Sequence, residues 1–277
     1  MISIRRDIAA SLTKLGLNPA NSSFVPDTKW MPTFTVFEPV TITAVYNVIV
    51  KLKNKSSKFD FIPTVLLKEC AQFFAPSIAH LANLSFTQSI FPEQLKTGCV
   101  RPILKKAGCD INDASNYRPI TNLGTLSKIL EQLAMAQLRP HITGSPKFSP
   151  NQSAYKSAHS TETALLKIVN DIRGNMEKSS VTCLLSLDIS AAFDALDHQV
   201  LLARAEEIFG IAGPVLAWLA SFLTNRRSFV SLGDGVGTDS IDSVMISGVP
   251  QGSTLGPLLF SMFVSPLGKV VDANGGS

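Results

Sequence analysis

Apolar positions along the chain recur at two periods, and the shifts between them divide it into elements. From Thr41 onward Ile42, Val45, Ile49 and Leu52 repeat at helical spacing, and the polar run Lys53-Asn54-Lys55-Ser56-Ser57 stops the pattern. Pro63 can open a second helix, because its missing N–H is harmless in a first turn, with Val65, Leu66, Leu67, Cys70 and Phe73 as the buried stripe. Pro76 is expected to reset the chain before a helix through Ile78, Leu81, Leu84 and Phe86 that ends near Phe91-Pro92. Cys99 to Lys106 reads as extended and then basic, and Tyr117-Arg118-Pro119-Ile120-Thr121 as extended again. A strong helix follows through Leu126, Ile129, Leu130, Leu133 and Leu138. Pro140, Gly144, Pro146 and Pro150 then mark a connector.

Another helix is predicted from Ser160-Thr161-Glu162, with Leu165, Ile168, Val169 and Ile172 on one face. Beyond it the pattern alternates: a strand over 181–188, helices over about 190–209 and 213–224, short strands near 228–233 and 242–247, and a helix from about 254. The prediction is an α+β chain with mixed helices and a small antiparallel sheet. Residues 1–38, punctuated by Pro19, Pro26 and Pro32, read as a connector, and a subdomain boundary falls near residue 150.

Composition narrows the class. With 277 residues and 45% apolar content the chain can bury a sizeable core, which excludes a disordered tail. The 25 Lys and Arg against 21 Asp and Glu permit a nucleic-acid partner only where the cations cluster. Four cysteines without a C-x-x-C pair and four histidines without zinc-ligand spacing read as structural. Neither a signal peptide nor an apolar window of about 18 residues is present, so a soluble intracellular protein without membrane contact is expected.

Candidate chemistry concentrates in two phrases. The run Leu184-Leu185-Ser186-Leu187-Asp188-Ile189 would set a carboxylate at a strand end. Two uses compete for Asp188: an N-cap for the following helix, or a Mg²⁺ ligand beside the Ile189 carbonyl. Phe193, five residues on, could pack in the core or wall a sugar pocket. In Gly248-Val249-Pro250-Gln251-Gly252-Ser253-Thr254, the glycines and proline restrict the turn and Gln251 offers donor and acceptor atoms. A plain strand-to-helix turn and a platform for a base pair explain it equally. Lys105, Lys106, Arg118 and Lys156 are either solvated cations or phosphate contacts. A phosphohydrolase with Asp188 as nucleophile would want a second Asp two residues later, where Ser190 stands.

Together with Leu95-Lys96-Thr97-Gly98-Cys99-Val100-Arg101-Pro102-Ile103-Leu104-Lys105-Lys106, Asn116-Tyr117-Arg118-Pro119-Ile120, Leu126-Ser127-Lys128-Ile129-Leu130-Glu131, Gln152-Ser153-Ala154-Tyr155-Lys156 and His159-Ser160-Thr161-Glu162-Thr163-Ala164, these phrases resemble the reverse transcriptase domain of non-LTR (LINE-type, jockey-like) retrotransposons, from about Phe34 to Lys269. The resemblance implies a right-hand polymerase: fingers over 39–178 and an incomplete palm over 179–277. It implies Asp188 as a catalytic metal carboxylate with the Ile189 carbonyl beside it, Phe193 as a gate against a ribose 2′-hydroxyl, Gln251 and Gly252 supporting template and nucleotide, and Lys105 and Arg118 on the triphosphate. The implied reaction joins a DNA primer to a dNTP on an RNA template, assisted by two Mg²⁺ ions.

Departures from the family pattern bear on activity. Lys156 stands where the family often has Arg, and no endonuclease or thumb is recognised. The chain closes with Asn274-Gly275-Gly276-Ser277, contains no Asp-Asp pair, and carries Asp272 only in a polar tail. The expectation is a fragment, inactive alone, whose parent works in a retrotransposon ribonucleoprotein of nucleus and cytoplasm. The alternative is a non-catalytic remnant that still binds nucleic acid.

Overall fold

A computed structural model describes residues 33–55, 57–189, 191–232 and 239–273, all within the compact unit Pro32–Ser277. Residues 1–32 of the predicted connector, Ser190 and the side chain of Asp272 lie outside the described residues. Helix α1 (Ile42–Val50) starts where the pattern predicts. Thr41 Oγ1 accepts the Ala44 N–H at 3.1 Å, and Val45 and Ile49 are buried. Helices α2 (Thr64–Glu69) and α3 (Ala71–Gln88) follow. The break between them falls at Cys70 (φ −101°, ψ 24°), and Pro76 sits inside α3 rather than resetting the chain. A proline in the second turn removes one helical hydrogen bond, and burial of Ala75, Ile78 and Ala79 on either side outweighs that loss.

The sheet has strands β1 (Thr97–Leu104), β2 (Tyr117–Asn122), β3 (Arg227–Val230) and β4 (Ser243–Val244) in the order β2-β1-β3-β4. The predicted all-antiparallel sheet is corrected to a mixed one: β1 runs antiparallel to β2 and β3 antiparallel to β4, but β1 and β3 are parallel, Cys99 facing Phe229. Chain order explains this, since four helices lie between β2 and β3 and allow a crossover that no hairpin could make.

Helix α4 (Thr125–Gly144) is longer than predicted and carries Pro140 internally. Fully buried Leu138 and Ile142 anchor its last turns, so packing again overrides the proline. Helix α5 (Thr161–Glu177) opens on a reciprocal capping box between Ser160 and Thr163. Its predicted apolar face is not buried: Leu165, Ile168 and Val169 are exposed.

The largest correction concerns 181–209. Residues 181–189 form no strand; they carry no regular secondary structure and are exposed, with Leu185 and Leu187 each 77% accessible. A strand needs a neighbour for its N–H and C=O groups, and none of the described residues pairs with this run. The single helix predicted over 190–209 is instead a turn at 191–195 followed by α6 (His198–Glu207). Asp197 Oδ1 accepts the Gln199 and Val200 N–H groups and fixes that later start, so Asp188 is not the cap of this helix.

Helices α7 (Gly213–Leu223), α8 (Gly256–Val264) and α9 (Leu267–Ala273) complete the described chain. The core lies where α1 packs on α3 and α4, α3 on α7, and α6 on α7 and α8. Phe34 and Phe37, at the end of the predicted connector, join it: the Phe34 N–H donates to Gly210 O at 2.9 Å and Phe37 stacks on Phe86. No helix among the described residues is long and apolar enough to cross a membrane.

Candidate functional site

The glycine-rich turn before α8 is fastened at three places. At its start, the Gly248 N–H donates to Leu196 O at 2.7 Å, the Val249 N–H donates to Phe193 O at 3.0 Å, and His198 Nε2 donates to Gly248 O at 2.7 Å. His198 is thus occupied by the loop. In the middle, the Thr121 N–H donates to Gln251 O at 2.8 Å, which ties the turn to the free edge of β2. Gly252 lies flat on that strand at φ +141°, and a Cβ there would come under 3.0 Å from the Thr121 carbonyl oxygen. Only glycine fits both the dihedral and the space.

At its end the turn meets Glu131, a fully buried carboxylate on α4. Glu131 Oε2 accepts from Ser253 Oγ at 2.6 Å, from the Thr254 N–H at 2.6 Å and from the Leu255 N–H at 3.1 Å, while Oε1 accepts from Ser127 Oγ at 3.2 Å. The donors open α8, where orphan N–H groups and the helix dipole favour a negative charge. Arg226 is also fully buried, its guanidinium 4.8 Å from the centre of the Phe222 ring and 5.7 Å from that of Phe91. Burial pulls the Arg226 guanidinium down from its ordinary range, and the charges of Glu131 and Glu93 oppose that. Sequence reasoning assigned neither residue a role. The available signal was a charge inside the stripe Ile129-Leu130-Glu131, followed by Leu133.

The structure brings three of the predicted groups to this turn. Gln251 is half-buried and Gly252 exposed at its crest. Phe193, half-buried, sits against the start of α8, 5.6 Å from the Phe260 ring and 6.4 Å from the Tyr155 ring between centroids. Arg118 lies three residues back along β2 from Thr121, about 10 Å at strand rise. The β1–β2 register sets Arg118 opposite Ile103, so alternation places Arg101, Ile103 and Arg118 on one face, and Lys105 follows directly after β1, with Lys105 and Arg118 both exposed. Lys105 also helps to hold the Asp113 carboxyl below its ordinary value, after the larger effect of the Ser115 hydrogen bonds. Lys156 turns away and bonds Pro150 O at 3.4 Å.

No hydrogen bond or ring contact among the described residues ties the Asp188 or Ile189 side chain to that turn. Both lie exposed in the irregular run before the 191–195 turn. Among the described residues no three His, Cys, Asp or Glu side chains stand together as a metal group.

Sequence comparison now adds to this geometry. The family described as reverse transcriptase (RNA-dependent DNA polymerase) matches residues 103–274. The probable RNA-directed DNA polymerase from transposon BS of Drosophila melanogaster is 28% identical over 231 residues, 83% of this chain and 25% of that protein. The RNA-directed DNA polymerase from mobile element jockey of the same fly is 31% identical over 234 residues, 82% of this chain and 24% of its own length. The chain spans about a quarter of the length of these relatives.

Proposed function

The chain belongs to the reverse transcriptase (RNA-dependent DNA polymerase) family, and from that premise we propose that it grips an RNA template paired with a DNA primer and seats the incoming dNTP for RNA-directed DNA synthesis. In this reading residues 39–178 are fingers and 179–277 the beginning of a palm, working in a retrotransposon ribonucleoprotein of nucleus and cytoplasm. The observation that carries it is the crest at Gln251 and Gly252, bare of side-chain bulk at Gly252 and anchored to the strand that also presents Arg118. A backbone surface of that kind accepts a flat base pair closely, while Lys105 and Arg118 supply a point charge and a planar fork for phosphate oxygens. Phe193, beside the same turn, is the wall for the nucleotide sugar.

Synthesis in this family is metal-dependent in general. Asp188 would offer such an ion, read here as Mg²⁺, a carboxylate oxygen and Ile189 its carbonyl. The donor set on these residues does not fit a pair of ions, because no group of three ligating side chains stands together among the described residues and the 277 residues contain no Asp-Asp pair. These 277 residues by themselves are therefore expected to retain a primed RNA template without lengthening the primer. Primer extension with dNTPs and Mg²⁺ tests this. Incorporation that disappears in Asp188→Ala would show that the donor set suffices after all, and failure to retain the hybrid at low salt would remove the proposed function.

A further inference from the structure

We infer that Glu131 is a positioning residue for nucleic-acid binding: its buried carboxylate fixes where Gln251 and Gly252 stand. The inference rests on the function proposed above for that turn. Gln251 and Gly252 are strung between two anchors. On one side the Thr121 N–H holds Gln251 O at 2.8 Å. On the other, the next three residues all converge on the single oxygen Oε2 of Glu131, through Ser253 Oγ, the Thr254 N–H and the Leu255 N–H.

The two backbone donors can only donate, so their partner must be an acceptor in that spot, and Glu131, with no accessible surface, supplies it from the core side. Glu131 is 122 residues from Ser253 in sequence, and its own place is set by α4, whose buried Ile129, Leu130, Leu133 and Ala134 lock the helix into the core. Ser253 Oγ passes the constraint on by accepting the Gly256 N–H at 3.1 Å, so the turn and the first residue of α8 move as one body. A carboxylate on a rigid core helix thereby sets the height of the crest above β2. Releasing it leaves Thr121 as the hold on the middle of the crest and takes the partner from the buried Leu255 N–H and the half-buried Thr254 N–H, which rearrange to find water.

The test is binding of a fluorescent RNA–DNA hybrid to the full 277-residue chain, read with amide hydrogen exchange over 250–256. Glu131→Ala is expected to weaken the hybrid roughly tenfold or more and to raise exchange at Thr254 and Leu255. Glu131→Gln is the rescue: its amide oxygen can take the place of Oε2 while its NH₂ faces Ser127 Oγ, which can accept, so affinity should return to within about threefold of the unaltered chain. Ser127→Ala touches only Oε1 and should leave binding unchanged. Should Glu131→Ala fail to fold, Ser253→Ala keeps one anchor donor from reaching Glu131 and is expected to weaken binding severalfold. Equal hybrid affinity in the Ala and Gln variants overturns the inference while the proposed function stands. Absence of binding by the unaltered chain overturns the proposed function itself.

Discussion

Gly252→Val is expected to destabilise the chain by about 3 kcal/mol and to abolish hybrid binding at concentrations where the unaltered chain is saturated. Two costs add. The φ of +141° is strained for any residue with a Cβ, and that Cβ would sit under 3.0 Å from the Thr121 carbonyl oxygen. Thr121 cannot retreat, because it faces Val100 across the β1–β2 pair and its own N–H is committed to Gln251 O. The crest must therefore lift off the strand. Urea denaturation read by far-UV circular dichroism measures the first effect and hybrid titration the second. Gly174→Ala is the matched control: it lies inside α5 with nothing within 4 Å of an added Cβ, and should stabilise by about 0.5–1 kcal/mol through helix propensity alone. A Gly252→Val chain as stable as the unaltered one would mean that the turn does not rest on β2.

The second large effect is expected at Trp218. Its side chain has no accessible surface and lies within 5.5 Å, centroid to centroid, of Phe37, Phe86 and Phe91 in edge-on geometry, and stacks on Phe222 at 5.9 Å. Its Nε1–H donates to Ser85 Oγ at 2.9 Å, and that hydroxyl donates to Ile90 O at 2.6 Å. Trp218→Ala would open a cavity and leave Ser85 Oγ without its donor, at a cost of about 4 kcal/mol. Trp218→Phe keeps most of the packing and should cost about 1–2 kcal/mol. The cluster joins α3, which leads into β1, to α7, which leads into β3, so its loss should loosen the sheet as well as the helices. Near-UV circular dichroism and a thermal melt separate these outcomes. An Ala variant melting with the Phe variant would place the core elsewhere.

How far residues announced this arrangement depended on the range of the interaction that decides them. Starts set by a local cap were legible: Thr41 for α1 and Ser160 for α5. The turn at 248–256 was legible too, because glycine and proline carry their constraint in their own backbone. The stops at Pro76 and Pro140 were misread, since burial of distant contacts decides whether a helix tolerates a proline. The run at 181–188 has the alternation and apolar content of a strand, but a strand exists only with a partner, and periodicity cannot supply one. Asp197, a local cap, was overlooked because the apolar pattern runs through it. Glu131 and Arg226 were least accessible of all. A charge in an apolar stripe is visible in sequence, but the donors that justify Glu131 lie 122 residues and more away.

Among the site residues, Phe193, Gln251 and Gly252 meet at one turn, Arg118 lies on β2 and Lys105 directly after β1, whereas Asp188 and Ile189 lie in an exposed stretch without regular structure. The physical difference is again partnership: the first five are carried by paired strands and a pinned turn, and the last two by backbone that no described neighbour holds.

The most direct measurement is the affinity of the 277-residue chain for an RNA–DNA hybrid as a function of salt, repeated for Lys105→Ala and Arg118→Ala. Phosphate contacts release counterions, so the logarithm of the binding constant should fall linearly with the logarithm of salt, and each substitution should make that slope shallower by about 0.9 while weakening binding regardless of base sequence. Binding that ignores salt, or slopes unchanged in both variants, would contradict the placement of nucleic acid on the β1–β2 face beside the glycine-rich turn.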